Sequence, residues 1–194
     1  MEEESRHVIG YFDLTRNMKE KRKKLVSDED FHHAASRCFD NADSFLRFAS
    51  YPMLHLCLED IMSAAAFSNS AFACELFLKA LLLSRSIEPS RIHKLDELFD
   101  KLDSDIQNEI IRDFPMGEGL HTRDEQEFML QLHENRDAFA IMRYSHEMDG
   151  FAFQYEFVFK LALSLRETAR KQLANLGDDK PEGILFMPTV KEQL

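Results

Sequence analysis

Apolar residues recur at spacings of three and four along most of the chain, the period of an α-helix, and no run alternates like a strand. Ser27 followed by Asp28, Glu29 and Asp30 marks a helix start, with a capping residue and acids in the first turn. The pattern predicts a first helix over about 28–48, with Phe31, Ala35, Cys38, Phe39, Ala42, Phe45 and Leu46 on its apolar side, ended at Pro52. A long helix is predicted over about 54–85, ended by the run "SIEPS", and a third over about 93–113. The loop "PMGEGLHTRDE" precedes a fourth helix over about 124–144. A break at Gly150 then opens a fifth over about 151–176. The expected fold is all-α, an up-and-down bundle of four to five helices over residues 27–176. A charged N-terminal arm (1–26) and a C-terminal tail (177–194) with an apolar patch at Ile184–Met187 flank it.

The long helix is apolar nearly all round, which suits the centre of a bundle. Its one polar feature is ordered. At about 100° per residue, Ala64, Ser68, Ala71, Glu75, Lys79, Leu82 and Ser86 share a stripe of mostly small residues with two charges in its middle. A small-residue stripe admits a close neighbour, and a carboxylate placed there needs a partner. Lys79, four residues on, is one candidate in the favourable order. An arginine is another, because its fork fits a carboxylate. The fourth predicted helix supplies Arg136 and Arg143, two turns apart on one face. Tyr144, His146 and Glu147 follow Arg143, and His93 opens the third helix. These residues are expected to converge on Glu75. Such a cluster serves equally as a structural pin that docks helices or as a polar cleft for a phosphate or RNA backbone.

Composition narrows the function classes. The 194 residues carry a formal net charge of −11, which opposes indiscriminate binding to nucleic acid or anionic membranes. The exception is "RNMKEKRKK", Arg16 to Lys24, with six basic residues and one acid: a solvated arm or a phosphate contact. Cys38, Cys57 and Cys74 are widely spaced and match no zinc or C-x-x-C pattern, so reduced thiols and a cytoplasmic location are expected. Glu29 and His32 form a single E-x-x-H where a di-iron bundle needs two, so no metal and no cofactor are expected. No Gly-rich phosphate loop or nucleophile elbow occurs. Glu75 and Lys79 argue against reading the long apolar segment as a membrane span.

Three elements in order carry a resemblance. "ACELFLKAL" (Ala73 to Leu81), "HKLDELF" (His93 to Phe99) and "RYSHE" (Arg143 to Glu147) are similar to motifs of the HEPN superfamily, the higher eukaryotes and prokaryotes nucleotide-binding domains, across roughly residues 55–175. The resemblance implies a four-to-five-helix bundle that usually dimerises, and two activities. Many members are metal-independent ribonucleases of toxin–antitoxin, CRISPR or phage-defence systems, in which an Arg and a His with four to six residues between them stabilise phosphate charge and move protons. Others bind nucleotide or RNA without cutting. The usual spacing does not occur here: two residues separate Arg143 from His146, nine separate Arg136 from His146, and seven separate Arg85 from His93. The sequence therefore points first to a non-catalytic protein that binds RNA, nucleotide or a cognate protein such as an antitoxin, as a homodimer and away from membranes. A divergent ribonuclease using Arg143 and His146 at a dimer cleft is the second expectation, and a structural dimerisation module the third. In each, Glu75, Lys79, His93, Arg136, Tyr144 and Glu147 form the surrounding polar cluster.

Overall fold

The computed structural model describes residues 25, 27–54, 61–89, 91–114, 125–143 and 154–174, with 51–54, 61–63 and 143 described by their backbone. The basic run Arg16–Lys24, the apolar tail patch, Cys57, Tyr144, His146 and Glu147 lie outside the described residues. Seven helices are present among the described residues: α1 (Asp28–Leu54), α2 (Ile61–Ser84), α3 (Leu95–Phe99), α4 (Ser104–Arg112), α5 (Glu125–Glu134), α6 (Ala138–Arg143) and α7 (Tyr155–Ala174). The all-α fold is as expected.

Ser27 starts α1 through a reciprocal cap. Its Oγ accepts from the Asp30 N–H at 3.1 Å, while Asp30 Oδ2 accepts from the Ser27 N–H at 3.3 Å. The expected stop at Pro52 does not occur, and α1 continues to Leu54. Proline removes the N–H that would meet the carbonyl four residues back. That carbonyl belongs to Phe48, one of the exposed large apolar residues, and the helix ends within a turn of the proline.

The centre of the bundle is α2, packed by α1, α3, α6 and α7. Phe67, Ala71, Cys74, Phe77, Leu78, Leu81 and Leu82 are all buried. The segment Ala64–Ser84 has the length and apolarity of a membrane span, but most of it is buried inside the bundle, which accounts for its composition. The end of α2 is a Schellman motif: Ser86 N–H donates to the Leu83 carbonyl at 2.9 Å and Ile87 N–H to the Leu82 carbonyl at 3.0 Å. Ser86 takes the left-handed conformation (φ 56°) that glycine usually fills. Its hydroxyl meets Asp28 Oδ1 at 3.0 Å, tying the end of α2 to the start of α1.

Two predicted helices are each broken in two. The third is interrupted at residues 100–103, between α3 and α4, where Gln107 Nε2 donates to the Phe99 carbonyl at 2.9 Å and satisfies the end of α3. The fourth is interrupted at residues 135–137, between α5 and α6, so Arg136 and Arg143 do not share one continuous helical face. Asn135, buried, spends its amide on the Gln131 carbonyl at 2.8 Å. The carbonyl of Arg136 turns outward to accept the Leu95 N–H at 3.1 Å.

Around α2 the core is aromatic. Phe99, Phe114, Phe128 and Phe157 form one cluster, with ring centroids between 5.4 and 5.8 Å, that joins α3, α5 and α7 to Phe114, two residues past α4. Ser164 of α7 donates to the Ile110 carbonyl of α4 at 2.9 Å, and Arg166 Nε meets Asp43 Oδ1 of α1 at 2.5 Å. On the far side Lys171 bridges Glu109 at 3.1 Å and Asp113 at 2.8 Å.

Two outcomes follow from this packing. Phe157→Ala is expected to cost about 3–5 kcal/mol in urea unfolding, because a fully buried ring leaves a cavity in a shared cluster. The Asp113 carboxyl, hydrogen-bonded by Arg112 and Lys171, is lowered from 3.8 to about 2. Its folded value lies below the unfolded one, so this pairing stabilises above pH 3.8 and is lost as the pH falls toward about 2. The stability gap between the wild type and Asp113→Asn should therefore shrink through that window. A gap that stays constant there would remove the pairing from the stability of the fold.

Candidate functional site

The polar cluster is built outward from Glu75. Helical register buries its carboxylate on the central helix, where it is 3% exposed. Lys79, one turn along α2, brings Nζ to Glu75 Oε1 at 2.6 Å and is itself 14% exposed. The connection between α2 and α3 carries His93 back over the same oxygen, with Nδ1 at 2.9 Å. Glu75 Oε2 is buried without a hydrogen-bond partner among the described residues. Cys38 of α1 lies beside the pair. Burial pushes its thiol up, Lys79 opposes that shift and Glu75 adds to it. Cys74 is wholly buried, and burial pushes its thiol up against the smaller lowering effect of a backbone hydrogen bond, its Sγ resting on the Val158 carbonyl at 3.3 Å. Neither thiol is poised as a nucleophile, since the thiolate is the reactive form.

A carboxylate at the Nδ1 side fixes the tautomer: Nδ1 carries the proton and donates to Glu75 when the ring is neutral. The other nitrogen, Nε2, then points away from the carboxylate. The His93 side chain is 72% exposed, so this oriented nitrogen faces solvent. Around it the segment Arg91-Ile92-His93-Lys94 adds two cationic side chains. Arg91 is exposed and makes no ion pair among the described residues, and Lys94 reaches Glu97 at 3.3 Å.

A second imidazole, which the sequence reading did not single out, repeats the arrangement next door. His133, in the last turn of α5, places Nδ1 2.8 Å from Asp96 Oδ2 of α3. Arg136, in the turn that follows, rests Nη1 against the face of the His133 ring, 3.1 Å from Nε2 and 3.4 Å from Nδ1, and its Nε lies 3.2 Å from Asp137 Oδ2. Of the residues expected to converge, Glu75, Lys79 and His93 meet directly. The Arg136 guanidinium goes instead to His133 and Asp137, and its carbonyl accepts from the Leu95 N–H, two residues past His93. Arg143 closes α6, which packs on α2 with Phe139 stacked on Phe72 at 4.7 Å. The meeting of its side chain with Glu75 falls outside what is described, as do Tyr144, His146 and Glu147. The available signal for His133 was local, an H-x-x-R spacing in "HENR". Its partner Asp96 is 37 residues away, so only the fold reveals the pair.

The same cluster has a structural weight that can be measured. Glu75→Ala leaves the mostly buried Lys79 ammonium without its carboxylate and is expected to destabilise by about 3–5 kcal/mol. Glu75→Ala with Lys79→Met removes both charges and is expected to cost less than the single change in urea unfolding. A double variant less stable than Glu75→Ala would show that the pair is not what the site relies on.

A family model for the HEPN domain matches residues 35–172, a span that contains α2 to α6 entirely, most of α1 and nearly all of α7. Neither the curated proteins nor the solved structures yield a match.

Proposed function

The chain belongs to the HEPN family, and on that footing we propose that it binds a phosphate-bearing ligand, RNA or nucleotide, at the head of α3 without cleaving it. The observation that carries this reading is His93: an exposed imidazole whose Nδ1 is held on a buried carboxylate, flanked by Arg91 and Lys94. An imidazole fixed in this way presents Nε2 in one direction, to donate to a phosphate oxygen when protonated. Arg91 supplies a fork suited to phosphate and Lys94 a point charge. In a protein of net charge −11 this short basic segment stands against the overall field, which favours a defined contact over indiscriminate attraction.

The absence of cleavage rests on chemistry. Ribonucleolysis without a metal needs one group to take a proton and another to stabilise the phosphate, at one reacting atom. The Arg-to-His spacing that supplies both in catalytic members does not occur anywhere in this sequence. A cytoplasmic homodimer with a cognate protein partner remains part of the proposal.

The test is a fluorescence-anisotropy titration of the full chain with a labelled 12-nucleotide single-stranded RNA and with AMP. At least one should bind, with affinity falling as salt rises. His93→Ala and Arg91→Ala should each weaken binding about tenfold, as expected for the loss of one charge-assisted hydrogen bond. The RNA should remain intact on a denaturing gel after prolonged incubation. RNA cut by the wild type but not by Arg143→Ala or His146→Ala would replace this reading with the ribonuclease one.

A further inference from the structure

The segment Arg91–His93, which leads into α3, is anchored on both sides and tied loosely in between. Before it, the Ile87 N–H donates to the Leu82 carbonyl at 3.0 Å and the Ser86 hydroxyl meets Asp28. After it, the Leu95 N–H donates to the Arg136 carbonyl at 3.1 Å. Within it there is no helix, and the Ile92 N–H only turns back to the Pro89 carbonyl at 3.3 Å. The Ile92 side chain packs partly against the core. Among the described residues, one hydrogen bond ties Arg91–His93 to a helix of the bundle: His93 Nδ1 to Glu75 Oε1, at 2.9 Å.

Beneath that bond lies a buried charged pair. Glu75 is almost wholly buried, and Lys79, on the same oxygen at 2.6 Å, is largely so. His93 is the outermost of the three, since its own side chain is mostly in solvent. The imidazole is therefore a cover over the pair, kept in place by its bond to the carboxylate. A short segment anchored at both ends and tied once between them can open locally while the elements on either side stay folded. We propose that Arg91–His93 is a strap over Glu75 and Lys79, latched by His93, and that an anion at His93 Nε2 binds the latched form in preference to the open one. The second part rests on the reading of His93 as a phosphate contact; the strap itself does not.

Latched, the ring has one orientation and Nε2 one direction. Released, the ring samples several rotamers, and an anion must pay the cost of ordering it. To donate to an anion, Nε2 takes up a proton from solvent. The imidazolium then gives Glu75 a charge-assisted bond from Nδ1, stronger than the one the neutral ring gives. The charged groups around the ring are Glu75 and Lys79 of α2, with Arg91 and Lys94 flanking it in sequence. Glu75 and Lys79 balance each other, and the arriving anion balances the added proton. Ligand and latch thus strengthen each other, and the coupling is reciprocal.

The strap is tested by trace acetylation of the full chain with sulfo-N-hydroxysuccinimide acetate, read by mass spectrometry at Lys79, with the exposed Lys101 as internal reference. His93→Ala should raise the Lys79 rate about tenfold against Lys101, the factor that loss of one charge-assisted hydrogen bond gives, in a protein that thermal melting shows to be folded. An unchanged Lys79 rate in folded His93→Ala overturns the strap and the coupling with it. The coupling is tested with Glu75→Gln, which keeps the shape of the latch but offers a neutral acceptor. Losing a negative charge near the site would by Coulomb attraction alone tighten an anion. The latch predicts the opposite, an affinity about fivefold weaker for whichever of the 12-nucleotide RNA and AMP the wild type binds. Glu75→Gln with Lys79→Met removes both charges, should show the same loss, and replaces the single variant if that one does not fold. Unchanged or tighter binding in the folded variant overturns the coupling and leaves the His93 reading standing. No binding of either ligand by the wild type overturns that reading and the coupling, and the Lys79 rate then decides the strap alone.

Discussion

A carboxylate buried on the central helix sets the terms for the rest of this fold. Glu75 sits among Phe and Leu side chains that exclude water, and an ionised group there must be met by cations and donors. Lys79 comes from the same helix and needs no special topology. His93 does not: to reach Glu75 the chain must leave α2, reverse, and return over the carboxylate before α3 begins. The Schellman end of α2 makes the reversal, with Ser86 tolerating a left-handed conformation because its hydroxyl is held by Asp28. Once His93 is fixed, Leu95 and Asp96 are fixed with it. They in turn hold the Arg136 carbonyl and His133. A line of constraint therefore runs from the driest part of the bundle to an exposed patch of imidazole and guanidinium groups.

The local features were legible because local rules govern them. The capping box at Ser27, the placement of Glu75 and Lys79 on one stripe, and the burial of α2 follow from helical period and the cost of lone charges. The helix breaks were hidden by the same periodicity. Leu95, Leu98, Phe99, Leu102 and Ile106 are all buried, so the apolar pattern runs straight across the interruption at residues 100–103. At the end of α3 the Phe99 carbonyl accepts from the Gln107 amide and the Leu102 N–H, and in the α5–α6 turn the Arg136 carbonyl accepts from the Leu95 N–H. The second depends on a partner that only the folded chain brings near. At Pro52 the opposite holds: the local rule is strong, yet its cost falls on one carbonyl, that of Phe48, in the last turns of α1, and the helix runs two residues past the proline.

The site divides by the same logic. Glu75 was found from sequence because a charge in an apolar run is conspicuous. His133 was not, because a histidine at the end of a short amphipathic helix looks ordinary until Asp96 stands beside it. The shape of the α2–α3 connection could not have been read either, since it depends on His93 finding an oxygen 18 residues back.

Energetics separates the two ends of the cluster. The buried Glu75–Lys79 pair has a structural reason to exist, because removing one member strands a charge in the core. The outer groups have a weaker one: His133 meets the largely buried Asp96 carboxylate, and Arg136 and Asp137 pair nearer the surface. Exposed ion pairs of the kind made by His133, Arg136 and Asp137 contribute between nothing and about 1 kcal/mol each, and His93 is mostly in solvent beyond its one bond to Glu75. Holding several polar side chains in fixed orientations at a surface costs side-chain entropy that these contacts barely offset. A stability role alone would be met by Glu75 and Lys79. The orientation of His93, held on the Glu75 carboxylate by Nδ1 with its side chain mostly in solvent, is better accounted for by something that arrives from solvent and accepts hydrogen bonds. The docking of helices and the recognition of an anion are then two ends of one arrangement: the carboxylate that pins the ring inward is what orients it outward.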